Sequence, residues 1–415
     1  MKLLWHSVAP WCPTGYGQQT ALWVPRIASL GHDVAISAYH GLRDAPISWR
    51  GHRVYPGGAH PQGADVLPGH ARHFGADLII ALTDLWALSR DAQFEGLPLA
   101  CWMPIDTEPL SAGDGSALTA WNATPIAMTG FGKRQLEAAG FQPLYVPHGI
   151  DTAVFGPSEG ARQQRDLIDP DAAFLVGINA ANAQDGVRKA WREQMQAFAR
   201  LHARHSDVRL YLHTAKRSPV LDLAQLAREL GIVDVVRWPP QYQYRAGLIG
   251  SDHLAAVYSA FDLYSGCSYA EGFGLPLVEA QACGTPAVAT DFSAMRETCG
   301  GWLVPGEPHT LDRHRSQWLR PSVYAIADVY EEAYRRGASY QSRKASAREH
   351  ALQYDADRVL MQYWKPALEM LEIHPTPSHL QAAGPGSPCP GPAHGRPHVR
   401  EDRCRIHSTA PGRAG

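Results

Sequence analysis

The sequence predicts an α/β protein built from two doubly wound parallel sheets in tandem. Short apolar runs alternate with helical patterns from the first residues onward, and this alternation restarts after the segment that ends at Phe155. The chain, at 415 residues, is long enough for two domains of ordinary size plus extensions. Strands of a parallel sheet covered on both faces read as continuous apolar runs rather than as alternation, which is the pattern seen.

Residues 2–8 read as the first strand, 18–30 as a helix ended by Gly31, and 33–37 as the second strand. Pro25 is expected to kink that helix or break it early, because it lacks an N–H and its ring crowds the preceding turn. Further strands are expected at 78–81, 99–103, 125–128 and 144–146. The second unit reads as strands at 174–178, 209–213, 235–238, 263–265 and 286–289, with helices at 192–205 and 221–230 between them. The two units meet at Val146-Pro-His-Gly-Ile-Asp151, so the expected domains are 1–155 and 156–350, facing a cleft where ligands bind. A helix at 354–372 follows. Residues 374–415 hold eight Pro and six Gly without apolar periodicity, a composition that predicts disorder.

Hydrophobic residues make up 45% of the chain, and the formal net charge is −2. The segment from His374 onward carries five Arg against Glu401 and Asp402, a charge of +3 that leaves −5 on the rest. A mildly acidic body argues against nonspecific nucleic-acid binding, although a local basic patch stays open, as does peripheral membrane contact. The seven cysteines form no CxxC pair and are odd in number, which indicates neither a zinc site nor a disulfide framework and suits a reducing cytoplasm. No secretory leader or transmembrane run is recognisable. Asp355-Ala-Asp357 and Asp169-Pro-Asp171 imitate metal motifs, but a helix cap and a linker turn account for them. No required metal is expected.

The run from Ser268 to Thr290 carries the chemistry. Pro276 suits the first turn of a helix and Gly284 the position past its end, giving a helix of about two turns. Glu271 precedes this helix and Glu279 lies one turn inside. The backbone N–H groups of Phe273, Gly274 and Leu275 have no partner within it. Free amides at the positive end of a helix suit a phosphate, while carboxylates suit the hydroxyls of sugars. A nucleotide sugar has both. The bland alternative makes Glu271 a cap and Glu279 a solvated residue.

This run, with Gly272, Gly274, Pro276 and Cys283-Gly284-Thr285-Pro286 in register, resembles the signature of glycosyltransferase family 4. The resemblance implies the GT-B fold, two Rossmann-like domains with the C-terminal helix crossing back onto the first, and retaining transfer from a nucleotide-diphosphate sugar donor. The segment Val146–Asp151 resembles the family's hinge, where Asn is commoner at the position of His148. Arg188-Lys189 matches the family's basic pair that grips the diphosphate; preorganised cations stabilise a leaving diphosphate without a metal. By resemblance Glu279 holds the ribose hydroxyls and Glu271 the donor sugar.

Thr14-Gly15-Tyr16-Gly17 lets a backbone approach a ligand closely, and in the family this loop faces the donor. As a dinucleotide fingerprint it fails, with Thr20 at the third glycine position and no acidic residue after the second strand. Asn182 after the first strand of the second unit joins the donor-binding set. Asp106, in Trp102-Met-Pro-Ile-Asp106, stands where many family members have histidine and is expected to touch the sugar or the acceptor. Asp84 is a further lining candidate, and Trp238 and Tyr242 lie where a nucleobase could stack. The expected function is sugar transfer to a hydroxyl acceptor on a glycan, lipid, protein or modified nucleobase. A GT-B nucleotide-sugar epimerase and a non-catalytic sugar-nucleotide binding protein are the alternatives.

Overall fold

The computed structural model describes residues 1–88, 94, 96–183, 187–311 and 315–373; the tail expected to be disordered at 374–415 lies outside them. The first sheet contains β1 (Lys2–Val8), β2 (Asp33–His40), β3 (Ile47–Trp49), β4 (His52–Tyr55), β5 (Leu78–Leu82), β6 (Leu99–Met103), β7 (Thr124–Ala127) and β8 (Leu144–Tyr145). Their spatial order is β3-β4-β2-β1-β5-β6-β7-β8. β1 lies parallel to both β2 and β5, and Leu3, Leu4 and Trp5 are buried, which explains the unbroken apolar run. The second sheet contains β9 (Phe174–Asn179), β10 (Val208–His213), β11 (Val236–Arg237), β12 (Leu263–Gly266), β13 (Ala287–Thr290) and β14 (Trp302–Val304), in the order β11-β10-β9-β12-β13-β14.

Two antiparallel pairs interrupt the expected parallel plan. β3 pairs with β4 through Arg50 and Gly51, both at positive φ (49° and 85°), the requirement of a two-residue hairpin turn. A separate hairpin of β15 (Gly306–Leu311) and β16 (Ser316–Pro321) follows β14.

Helix α1 (Gly15–Ser29) begins three residues before the expected start, because the Thr14 side chain accepts the Gly17 N–H and caps it. It also runs past Pro25 to Ser29. Proline inside a helix costs about 3 kcal/mol, whereas Trp23, Val24 and Ile27 are fully buried and each such side chain contributes roughly 1.5–3 kcal/mol. Packing wins, and the expected break does not occur. Asp169 is more than a linker turn. Buried at 5% exposure, it accepts from Arg209 on β10 at 2.8 Å and from Arg237 on β11 at 2.6 Å.

The final helical run starts at Ala356 rather than 354, since the Asp355 carboxylate caps it by accepting the N–H groups of Asp357 and Arg358. A π-helical stretch at Leu360–Trp364 precedes the last helix, Lys365–Ile373. Trp364 sits among Trp5, Trp23 and Trp102 of the first sheet's core, with ring centroids 5.7, 5.9 and 4.9 Å away. Just before this run, Ile150 of the 146–151 segment donates to the Tyr354 carbonyl and accepts from Ala356 N–H, both at 2.9 Å. Among the described residues no helix is long and apolar enough to cross a membrane. Trp364→Ala is expected to cost about 3–5 kcal/mol of unfolding free energy in urea titrations followed by near-UV circular dichroism; a loss below about 1 kcal/mol would contradict the packing role.

Candidate active site

Four loops at the C-terminal ends of parallel strands supply the charged side chains: Asp84 after β5, Asp106 after β6, Arg188 and Lys189 after β9, and Glu271 after β12. This is the edge where α/β sheets bind ligands. Glu271 lies at the centre. One carboxylate oxygen takes the Lys189 ammonium at 2.6 Å and the Ser268 hydroxyl, and the other takes Arg188 Nη1 at 3.2 Å. Its backbone N–H donates to Ser293 Oγ at 3.0 Å. Burial pushes the Glu271 carboxyl up, but Lys189, Arg188 and the bonds from Lys189 and Ser268 outweigh it and hold it down at about 2. Burial and the neighbouring Arg188 charge push the Lys189 ammonium down, while Glu271 supports it. Arg188 also donates to the Ala270 carbonyl at 3.1 Å and faces Asp106 at 3.9 Å.

The helix Leu275–Ala282 begins beside this cluster. Gly274 caps it at φ 87°, a left-handed conformation that favours glycine. Pro276 occupies the first turn and Gly284 lies just past the end at φ 83°. Among the described residues, the N–H groups of Phe273, Gly274 and Leu275 make no hydrogen bond, so they lie at the positive end of the helix dipole without an acceptor. The loop also touches the first sheet. A Cβ on Gly272 would stand 2.2 Å from Pro104 Cβ, and one on Gly15 would meet Leu275 Cδ1 at 3.5 Å. Gly17 is packed against the Cys12 carbonyl, 2.3 Å from where its Cβ would be, so its lack of a side chain is required by local packing. The Phe273 ring meets His148 and Tyr354 edge-on at 5.1 and 5.2 Å.

Glu279 is 3% exposed and accepts from the Tyr258 hydroxyl at 2.8 Å, which in turn receives Asn179 Nδ2 at 2.7 Å. Burial raises its carboxyl to about 7, and the Tyr258 bond offsets only part of that rise. Asp106 is pushed up by burial, pulled down by Arg188 and pushed up again by Asp84 and Glu271. Burial likewise raises Asp84, against a bond at 3.1 Å from the Tyr16 hydroxyl and the charge of Arg188.

Asn182 stands apart from the charged cluster in its bonding. Its side-chain nitrogen donates to the carbonyls of Ala215 and Leu221 at 3.0 Å each, and its oxygen accepts from Ser218, so the amide braces the 214–221 loop. Trp238 lies under Lys216 Nζ at 5.6 Å, and Tyr242 is 79% exposed. Sequence reasoning missed Ser268, Ser293, Tyr258, Asn179 and Tyr16. Ser268 sits three residues before Glu271, a spacing that could have flagged it; Tyr258 and Asn179 carry no local signal. Among the described residues no three His, Cys, Asp or Glu side chains gather as a metal site.

Residues 178–319 match the family model described as Glycosyl transferases group 1. Over that stretch the chain is similar to a group 1 glycosyltransferase domain. Within the region they share, it is 37% identical over 176 residues to the D-inositol 3-phosphate glycosyltransferase of Actinosynnema mirum, covering 39% of this chain and 40% of that one. A protein of the same name from Mycobacterium marinum is 46% identical over 178 residues, covering 40% of this chain and 34% of that one. The chain therefore spans less than half the length of these relatives. Sucrose-phosphate synthase from Thermosynechococcus elongatus superposes with a TM-score of 0.69 at 17% identity, over 90% of this chain and 100% of that one. HepE from Anabaena, in complex with UDP-glucose, gives 0.66 at 18% identity over 89% and 100%. The fold is GT-B, and the matched stretch lies on its second sheet.

The two glutamates titrate in opposite senses. Glu271, held low, contributes stability that is complete above the ordinary glutamate value and lost as pH falls toward about 2. Glu279, held high, keeps in the folded state a proton that the unfolded chain has released, so its contribution falls as pH rises from 4.5 to about 7. Glu279→Gln is expected to gain melting temperature relative to the parent as pH rises through that window in calorimetric scans. A difference independent of pH would contradict the assignment.

Proposed function

We propose that the protein transfers a sugar from a nucleoside-diphosphate sugar to a hydroxyl acceptor with retention of anomeric configuration, without a required metal. The observation that carries this reading is Glu271 ion-paired to Arg188 and Lys189 beside the unengaged amides of Gly274 and Leu275. In this reading the diphosphate sits at the start of the 275–282 helix, where the two cations and the amides meet the charge that grows as the glycosidic bond breaks. Glu279, next to Tyr258, holds the ribose hydroxyls. Glu271 holds hydroxyls of the transferred sugar and fixes the anomeric carbon. Gly15 borders the donor across from Leu275.

The step balances without a protein base. The bond from the anomeric carbon to the diphosphate oxygen breaks, the acceptor oxygen bonds to the same face of that carbon, and the acceptor proton passes to a diphosphate oxygen. Asp106 and Asp84, on the first-sheet side, meet the acceptor or the outer hydroxyls of the sugar. Relatives that are D-inositol 3-phosphate glycosyltransferases, and HepE in complex with UDP-glucose, support a nucleotide-sugar donor and a hydroxyl acceptor. A cytoplasmic setting belongs to this reading, in keeping with the unpaired Cys12, Cys101, Cys267, Cys283 and Cys299.

The test begins with mass spectrometry of nucleotide released from the denatured protein, followed by assays of sugars on that base against extracted acceptor pools. Glu271→Gln, assayed at a temperature where circular dichroism shows the variant folded, is expected to lower turnover by about 10²–10³-fold, and proton NMR of the product is expected to show the donor's anomeric configuration. Full turnover in the variant, or an inverted product, would overturn the assignment.

A further inference from the structure

Sugar transfer as proposed draws on groups from both halves, so it depends on what fixes the distance between Asp106 and Glu271. A carboxylate outside the charged cluster bridges the two halves. Glu297 lies in the short helix Met295–Thr298 of the second half. Its two oxygens accept the first two amides of the first-half helix Gly130–Ala138, Gly130 N–H at 2.7 Å and Phe131 N–H at 2.6 Å. The Arg134 guanidinium, one turn further along that helix, faces the same carboxylate at 3.5 Å. Short bonds from helix-terminal amides to a charged acceptor are the stronger kind, and the helix dipole adds to them.

Local sequence permits this close approach. A Cβ on Gly130 would stand 3.1 Å from Glu297 Oε1, and one on Gly132 would press on Ile105 Cβ at 3.3 Å. Glycine is a poor helix former, yet two occupy this first turn, which Thr129 caps by accepting the Gly132 N–H at 3.0 Å. The Glu297 backbone is braced as well. Its carbonyl accepts from His350 Nε2 and from the Tyr354 hydroxyl, both at 3.1 Å. Tyr354 is also the residue whose carbonyl takes the Ile150 N–H, so the bridge is tied to the 146–151 segment between the halves.

The bridge adjoins the charged cluster from both sides. Ile105, Phe131, Ala270 and Phe292 share one buried apolar cluster, in which Phe131 of the first half meets Phe292 of the second edge-on at 5.5 Å. Ile105 precedes Asp106, Ala270 precedes Glu271, and Phe292 precedes Ser293, whose hydroxyl oxygen accepts the Glu271 N–H at 3.0 Å. Arg188 Nη1 faces both carboxylates, Glu271 at 3.2 Å and Asp106 at 3.9 Å, so a small parting of the halves would break its span. We propose that Glu297 is a positioning residue for sugar transfer: its carboxylate latches the 130–138 helix to the second half and thereby sets the distance between Asp106 and Glu271. In this role it touches no substrate. The proposal rests on the glycosyltransferase reading and deepens it, naming a side chain outside the donor seat on which turnover depends and diphosphate binding does not.

Hydrogen exchange of the full chain, resolved by mass spectrometry of peptides, tests the latch alongside calorimetry and turnover. Glu108 of the first half and Gln317, in the hairpin that follows the second sheet, report the separation: each donates its N–H to the other's carbonyl, at 3.2 and 2.9 Å. In Glu297→Ala, peptides spanning these two amides are expected to exchange about tenfold faster, the effect of losing one charge-assisted bond between the halves. Calorimetric affinity for inorganic pyrophosphate stays unchanged, since its seat lies in the second half. Turnover at saturating donor is expected to fall about 10²-fold with donor KM unchanged, the loss that a misplacement of about 1 Å brings. Glu297→Gln keeps the length and one accepting oxygen; it is expected to recover part of both losses, and it carries the test should the alanine variant not fold. Faster exchange confined to residues 130–138, or wild-type turnover in folded Glu297→Ala, would reduce Glu297 to a helix cap and overturn the proposal. A loss of pyrophosphate affinity in step with turnover would overturn it too. Failure of the wild type to bind pyrophosphate sinks the donor seat instead, and exchange at Glu108 and Gln317 then still decides the latch.

Discussion

One carboxylate shared by two cations organises this molecule. Glu271 holds both Lys189 and Arg188 in a site largely withdrawn from water, where removing a single partner would leave a desolvated charge and cost several kcal/mol. Ser268 and Ser293 fix the carboxylate and its backbone, and the lack of a Cβ at Gly272 lets the whole loop press on Pro104 of the first half. The cations are thereby held at Glu271, which lies just before a helix whose first amides are unengaged. Such a site has its electrostatics arranged before any ligand arrives, which is the condition under which charge stabilisation is strongest.

The two halves stabilise the site by different means. The first is anchored by an aromatic cluster in which Trp364, from the end of the described chain, packs among Trp5, Trp23 and Trp102. His148, held by Gln19 at 2.8 Å and in ring contact with Trp102 and Phe273, joins that cluster to the loop that carries Glu271. Burial lowers it to about 3, so it stays neutral and acts as a fixed spacer. The second half relies on buried polar links, such as Glu279 with Tyr258 and Asn179. The apolar cluster fixes the scaffold, and the polar links fix where the buried carboxylates stand.

Much of this was legible in the chain. The strands at 2–8, 99–103, 174–178 and 263–265 could be read because buried parallel strands are uninterrupted apolar runs, and the 275–282 helix because Pro276 and Gly284 punctuate it. Helix α1 was misjudged at Pro25, since a propensity argument cannot see Trp23 and Ile27 being buried by a distant part of the chain. β3 and the 306–321 hairpin are partly exposed antiparallel pairs whose residues follow neither period cleanly. At the site, Glu271, Arg188, Lys189 and Asp106 could be named from local motifs and do converge. The bonds of Asn182 were not legible, because the carbonyls it braces belong to residues 215 and 221. Tyr258 and Glu297 were invisible for the same reason: their partners are set by topology, not by spacing.

The central claim is that the cations beside Glu271 and the start of the 275–282 helix form a seat for a diphosphate. Calorimetric titration with UDP, GDP and ADP, each beside its parent nucleoside, tests it most directly. Two charge-assisted contacts of roughly 1.5 kcal/mol each lead to the expectation that the preferred diphosphate binds about 10²-fold more tightly than its nucleoside. Equal affinities for the diphosphate and the nucleoside, on every base, would contradict the account.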